Sequence, residues 1–164
     1  MPHCPKSLPM LDVPYYQQTR PSTCGPAALM MVLKYWDNSF ELSKRAELQI
    51  WRKSNPFVFF GGTIQFGLAK ATVEMGLMAE IFQKARFSEY HSTLRVLFDL
   101  WEDVVALDAR RARVPIHYGR EVLDVIREAL INRVPPIVFL NLEPLVGENV
   151  VHWLVVTGMD GARV

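Results

Sequence analysis

Hydrophobic and polar positions alternate along the chain in a way that predicts a helical first half and a mixed second half. Residues 9–18 carry Pro14 and the aromatic pair Tyr15-Tyr16, and read as an extended strand or surface strap. Ala27 to Leu33 are apolar on every side and run on to Tyr35 and Trp36, which predicts a buried helix. Ser22 and Thr23 before it are N-cap types, and Pro26 suits its first turn. Asp37-Asn38-Ser39 predicts a turn. Glu41 to Lys53 predicts a second helix, with Leu42, Ala46 and Ile50, joined by Leu48 and Trp51, on its apolar side and the charges between them on a solvated face. Asn55-Pro56 and Gly61-Gly62 break the chain around Phe57 to Phe60, an apolar run assigned to the core. Thr63 can cap a third helix, Ile64 to Glu74, which Gly76 stops.

The second half follows with a strand over 77–82 and a helix over 87–112. A short strand spans 114–118, and an amphipathic helix spans 121–133 with Val122, Ile126, Ala129 and Leu130 inward. Pro135-Pro136 ends that helix. A buried strand over 136–142 comes next, then a loop from Glu143 to Asn149 and a last apolar strand headed by His152. Asp160-Gly161 is a two-residue hairpin signal. The pattern predicts an α+β fold: a helical half packed on a mostly antiparallel sheet.

Length and composition narrow the function classes. At 164 residues, half of them hydrophobic, the chain supports one domain, residues 1–164, with a real core. The net charge of +1 gives no reason to expect nucleic acid or an anionic membrane as partner. No run reaches the roughly 18 apolar residues of a membrane helix, and the first residues lack the apolar core of a signal peptide, so a cytoplasmic, reducing location is expected. Cys4 and Cys24 make a poor disulfide framework, and a bridge between them would disable Cys24. His3 and Cys4 have no second cluster at ligand spacing, so neither a metal site nor a cofactor is expected.

The chemistry concentrates at Cys24. A cysteine at a helix N-terminus faces unpaired backbone N–H groups and the positive end of the macrodipole, which favour the nucleophilic thiolate. A buried, inert cysteine is the alternative at such a position. Gln18, six residues earlier, can supply an oxyanion donor, and a cysteine nucleophile needs a sequence-distant imidazole, for which His152 is the candidate base. His117, between apolar neighbours, is the runner-up base, and His91 lies among polar residues on the 87–112 helix. Arg110, Arg111 and Arg113 read as the solvated C-terminal end of that helix.

Two segments carry a family resemblance. Val13-Pro14-Tyr15-Tyr16, Gln18 and Cys24-Gly25-Pro26 with the following helix resemble the active-site segment of the C-thirty-nine peptidases, papain-like cysteine peptidases that cut double-glycine leader peptides. His152-Trp153-Leu154-Val155-Val156-Thr157-Gly158-Met159-Asp160-Gly161 is similar to their histidine strand. Together the segments cover about a fifth of the chain. The resemblance implies a papain-like fold with the site between its halves, Cys24 as nucleophile, His152 as general base and Gln18 as oxyanion donor. Tyr16, Gly25 and Trp153 are then the candidate substrate contacts, and a peptide or protein is the substrate. It also implies an Asp orienting the histidine on the strand after the hairpin, in an Asp-Pro context. The Asp160-Gly161 turn pairs His152 with about position 169, past Val164. Asp160 is no substitute, because the strand carries it roughly 26 Å from His152; Asn141, on the preceding strand, is a minor candidate. The expectation is therefore a domain truncated at its last strand, with an open sheet edge that permits a homodimer or a domain swap. Three activities fit this reading: hydrolysis of peptide or amide bonds, acyl transfer by the same nucleophile, and, without the third residue, a weak or inactive peptide-binding domain.

Overall fold

The computed structural model describes residue 8 and residues 10–55, 63–84, 95–147 and 150–160, the side chains of residues 95–99, 101 and 145 excepted. Helix α1, Cys24–Trp36, is the central element, and Gly25 to Met30, Val32 and Leu33 are all buried. A helix apolar on every side has to be covered on every side, and helices α2 (Lys44–Ser54) and α3 (Gln65–Glu74) and strand β4 (Val151–Val155) supply that cover. The α1 helix ends as Asp37 turns extended. The Asp37 carboxylate accepts from the Ser39 hydroxyl at 2.6 Å and the Ser39 amide at 2.8 Å, which hold its pKa below the ordinary value.

Helix α2, Lys44–Ser54, starts at Ser43, whose hydroxyl accepts the Ala46 N–H at 3.3 Å. Helix α3, Gln65–Glu74, crosses it at Gly67. A Cβ at Gly67 would stand 1.9 Å from the carbonyl oxygen of Ser54, so only glycine admits this crossing. Gly76, at φ 90°, stops the chain after α3 as expected. Thr63 is not the cap: Ile64 occupies that position without a side-chain bond, and Thr63 is buried.

Strand β1, Ile81–Gln83, and strand β2, Ile116–Tyr118, pair in parallel across helix α4, Arg95–Arg111. A parallel pair needs such a crossover. Both strands are shorter than the apolar pattern suggested, and this pair departs from the mostly antiparallel expectation. Helix α5, Val122–Ile131, leads to strand β3, Ile137–Asn141, which pairs antiparallel with β4, Val151–Val155. The segment between them, expected as a loop, contains a one-turn helix α6, Glu143–Val146, closed by Gly147 at φ 75°. The architecture is α+β with small sheets.

Among the described residues three apolar clusters form the interior. The first joins α1, α2 and α3 to Trp153 of β4. The second joins α3 and α4 to β1 and Val114. The third joins Leu11, Ile126, Leu130, Val156 and Met159. The N-terminal strap is held there by bonds from the Leu8 N–H to the Met159 carbonyl at 2.9 Å and from the Leu11 N–H to the Thr157 carbonyl at 2.6 Å. His91, Phe57 to Phe60, Cys4 and the Gly161 side of the proposed hairpin lie outside the described residues.

Candidate active site

Cys24 is the first residue of α1, half-buried and a free thiol. Thr23 precedes it in the cap position, yet its hydroxyl makes no cap bond. That hydroxyl lies 2.8 Å from the Arg20 carbonyl and in a short hydrogen bond with Glu47. Pro26 has no N–H, so Cys24 and Gly25 carry the free donors of the first turn, and neither amide has an acceptor among the described residues. Two open amides at the positive end of a 13-residue helix can stabilise an anion at or beside the Cys24 sulfur.

Glu47 is the feature that periodicity missed. Expected on a solvated face of α2, it is fully buried, with 0 % exposure. Its carboxylate accepts from the Tyr16 hydroxyl (3.1 Å), the Thr19 N–H (2.8 Å), the Thr19 hydroxyl (2.6 Å) and the Thr23 hydroxyl. Burial pushes its pKa up, but these donors outweigh burial and hold it below the ordinary value. The Tyr16 hydroxyl is pushed up in turn, first by burial and then by the adjacent carboxylate. The signal in the sequence was the group of hydroxyls at Tyr16, Thr19 and Thr23, but nothing local links them to one acid on another helix.

Gln18 is half-buried in the same segment. Its amide nitrogen donates to the carbonyls of Arg20, at 2.8 Å, and Pro21, at 3.3 Å. The N–H groups expected to receive an oxyanion are thus turned onto the chain's own loop.

His152 is the second residue of β4, half-buried and paired with Leu140 of β3. Neighbouring strand residues point to opposite faces. Trp153, with Val155 and Ile137, packs toward α1, whereas Val138 and Val156 pack toward the strap and α5. His152 therefore leaves the strand on the side opposite Trp153, and no hydrogen bond joins it to Cys24 among the described residues. The Gly25 backbone does meet the side chain of Trp153. A Cβ at Gly25 would lie 3.2 Å from Cδ1 of Trp153, so Cys24 and His152 are the sequence neighbours of one tight helix–strand contact. Trp153 is 8 % exposed, and its indole N–H donates to the Thr63 carbonyl at 2.8 Å. Gly25 and Trp153, expected to touch substrate, are core residues that pack α1 on β4. Tyr16 is half-buried and bound to Glu47.

The minor candidates stand elsewhere. Asn141 pairs with Val151 rather than His152, and its carboxamide bonds to Glu143. His117 stacks on Phe82, with centroids 4.6 Å apart, and its Nε2 lies 3.2 Å from Glu80 without hydrogen-bond alignment. It belongs to the β1–β2 sheet, not to the α1–β4 contact. Among the described residues no group of His, Cys, Asp and Glu could hold a metal, and no helix is long and apolar enough to cross a membrane.

No curated protein and no solved structure matches the chain. A family model described as Peptidase_C39 like family matches residues 13–164, a span that includes Gln18, Cys24 and His152. With a free cysteine opening the central helix and a histidine strand packed on that helix, the chain belongs to the Peptidase_C39 like family.

Proposed function

We propose that this protein is a cysteine peptidase or amidohydrolase on a papain-like fold, with Cys24 as nucleophile, His152 as general base and Gln18 as oxyanion donor. The observation that carries the reading is the seating of Gly25 on Trp153. It sets the uncapped N-terminus of the Cys24 helix against the strand that bears His152. The Cys24 thiolate attacks the substrate carbonyl carbon, and the carbonyl oxygen takes the negative charge. The Cys24 amide and the Gln18 amide stabilise that oxyanion, and His152 protonates the departing amine. Water then releases the acid by the reverse exchange. Two changes are required from the geometry described: Gln18 leaves the Arg20 and Pro21 carbonyls, and the start of β4 turns so that the His152 imidazole, which leaves the strand opposite Trp153, reaches the sulfur. Catalytic hydrogen bonds are often long or poorly aligned before substrate binds and tighten in its complex.

The test is the alkylation rate of Cys24 by iodoacetamide against pH, in a Cys4→Ser background, native and unfolded. An unperturbed thiol titrates near about pH 8.5. Fast labelling that persists well below about pH 7 and is lost in His152→Ala supports the thiolate–imidazolium pair. Labelling no faster than in the unfolded chain rejects it. Cys24→Ala abolishes turnover of any cleaved peptide, and an added amine acceptor separates hydrolysis from acyl transfer by its product. A second reading, a non-catalytic peptide-binding domain, is favoured by the engagement of Gln18 with its own loop and by the missing Cys24–His152 bond; Cys24-dependent turnover removes it.

A further inference from the structure

We infer that Glu47 is a positioning residue of the proposed thiol site: its buried carboxylate holds, through Tyr16, Thr19 and Thr23, the segment that presents Gln18 and leads into Cys24. The inference rests on the peptidase reading above and adds to it a residue that touches neither substrate nor sulfur.

A carboxylate is kept in an interior only where donors or cations surround it. Among the described residues no cation partners Glu47; every partner is a neutral hydroxyl or amide. All of them belong to residues 16–23. Apart from the first α1 bond, from the Ala27 N–H to the Thr23 carbonyl, every hydrogen bond that leaves this segment among the described residues ends on Glu47. The bonds of Gln18 stay inside the segment. Ala46 and Ile50 of α2 share an apolar cluster with Leu29 and Leu33 of α1, so α2 also has an apolar contact with the core apart from Glu47. Its partners bracket Gln18 in sequence, with Tyr16 on one side and Thr19 on the other, and finish at the residue before Cys24. One anion holds the Tyr16 side chain on one side of Gln18 and the Thr19 backbone on the other, and with the Arg20 carbonyl it engages the Thr23 hydroxyl away from the cap, leaving the first-turn amides open.

The experiment uses the full chain in a Cys4→Ser background, with iodoacetamide as the probe of Cys24 across pH. Glu47→Gln keeps the shape but places an amide nitrogen against donors. Labelling at about pH 7 should fall at least about tenfold, the scale of a lost charge-assisted hydrogen bond, and the midpoint should rise toward that of the unfolded thiol. Ile50→Val, a buried truncation on the same helix, lowers stability without moving the midpoint and separates positioning from general loosening. If Glu47→Gln does not fold, Tyr16→Phe and Thr19→Ala remove single partners and should each shift the midpoint in the same direction. A fast wild-type thiol with an unchanged midpoint in the folded Glu47 variant, or in both single-partner variants, overturns this inference and leaves the peptidase reading standing. A wild-type thiol no faster than the unfolded chain overturns both.

Discussion

Gly25 and Trp153 meet so closely that a methyl group on Gly25 would lie 3.2 Å from the indole Cδ1 and 3.0 Å from Cβ of Thr63. This contact is the joint between the cysteine helix and the histidine strand. Gly25→Ala should therefore cost about 1–3 kcal/mol by overpacking, as either Trp153 or Thr63 has to give way. Urea denaturation measures the loss, and an unchanged midpoint would mean that the joint opens freely.

Gly67 is the more demanding position. Its neighbour is the backbone oxygen of Ser54, and a Cβ 1.9 Å away cannot be accommodated by turning a side chain. Gly67→Ala should force α2 and α3 apart and exceed the cost of Gly25→Ala, reaching about 4 kcal/mol or more, or prevent folding. Thermal unfolding of both variants under one condition gives the order.

Trp153 anchors Thr63 through a buried hydrogen bond from its indole N–H. Trp153→Phe keeps much of the apolar contact but leaves the Thr63 carbonyl without that donor. The expected cost is about 1–3 kcal/mol. A loss below about 0.5 kcal/mol would show that the carbonyl finds a replacement donor.

Acid should release the Glu47 anchor. Its folded pKa lies below the ordinary carboxylate value, so the stability it contributes is fully present above the unfolded value of about 4.3 and is lost as pH falls through the lower folded value. The stability gap between the wild type and Glu47→Gln should accordingly narrow as pH drops below about 4.3. Urea titrations at a series of acid pH values measure it, and a gap that stays constant would contradict the assignment.

Gln18 separates stability from chemistry. Its bonds are exposed and end on its own loop. Gln18→Ala should change folding stability by no more than about 1 kcal/mol. In the proposed mechanism the same change lowers kcat by about 10²–10³-fold. Equal turnover in the two proteins would remove Gln18 from the oxyanion role.

Local signals decided most of the elements. The apolar run from Ala27 to Leu33, with Pro26 ahead of it, specified α1 because such a run has no stable exposed form. Gly76 specified the stop after α3 through its positive φ, and the four-residue spacing of Ile126 and Leu130 the buried side of α5, although Val122, expected inward, is exposed; α2 begins at Lys44 behind the Ser43 cap, later than the Glu41 that periodicity gave. Each depends on neighbours within a turn or two. The order of Gln18, Cys24 and His152 was likewise legible, and with it the family.

Tertiary structure decided what depended on distant partners. In α2, Glu47 is inside and Leu48 is partly exposed, the reverse of what hydrophobicity suggests, because the donors that make a buried carboxylate tolerable come from residues 16–23. The parallel pairing of Ile81 with Ile116 was hidden for the same reason: it forms only after α4 has closed the crossover. The strand bearing His152 was readable from the sequence. That its neighbour Trp153 rather than His152 faces the cysteine helix was not, because one residue of register reverses the faces of a strand, and register is set by the whole sheet and its packing.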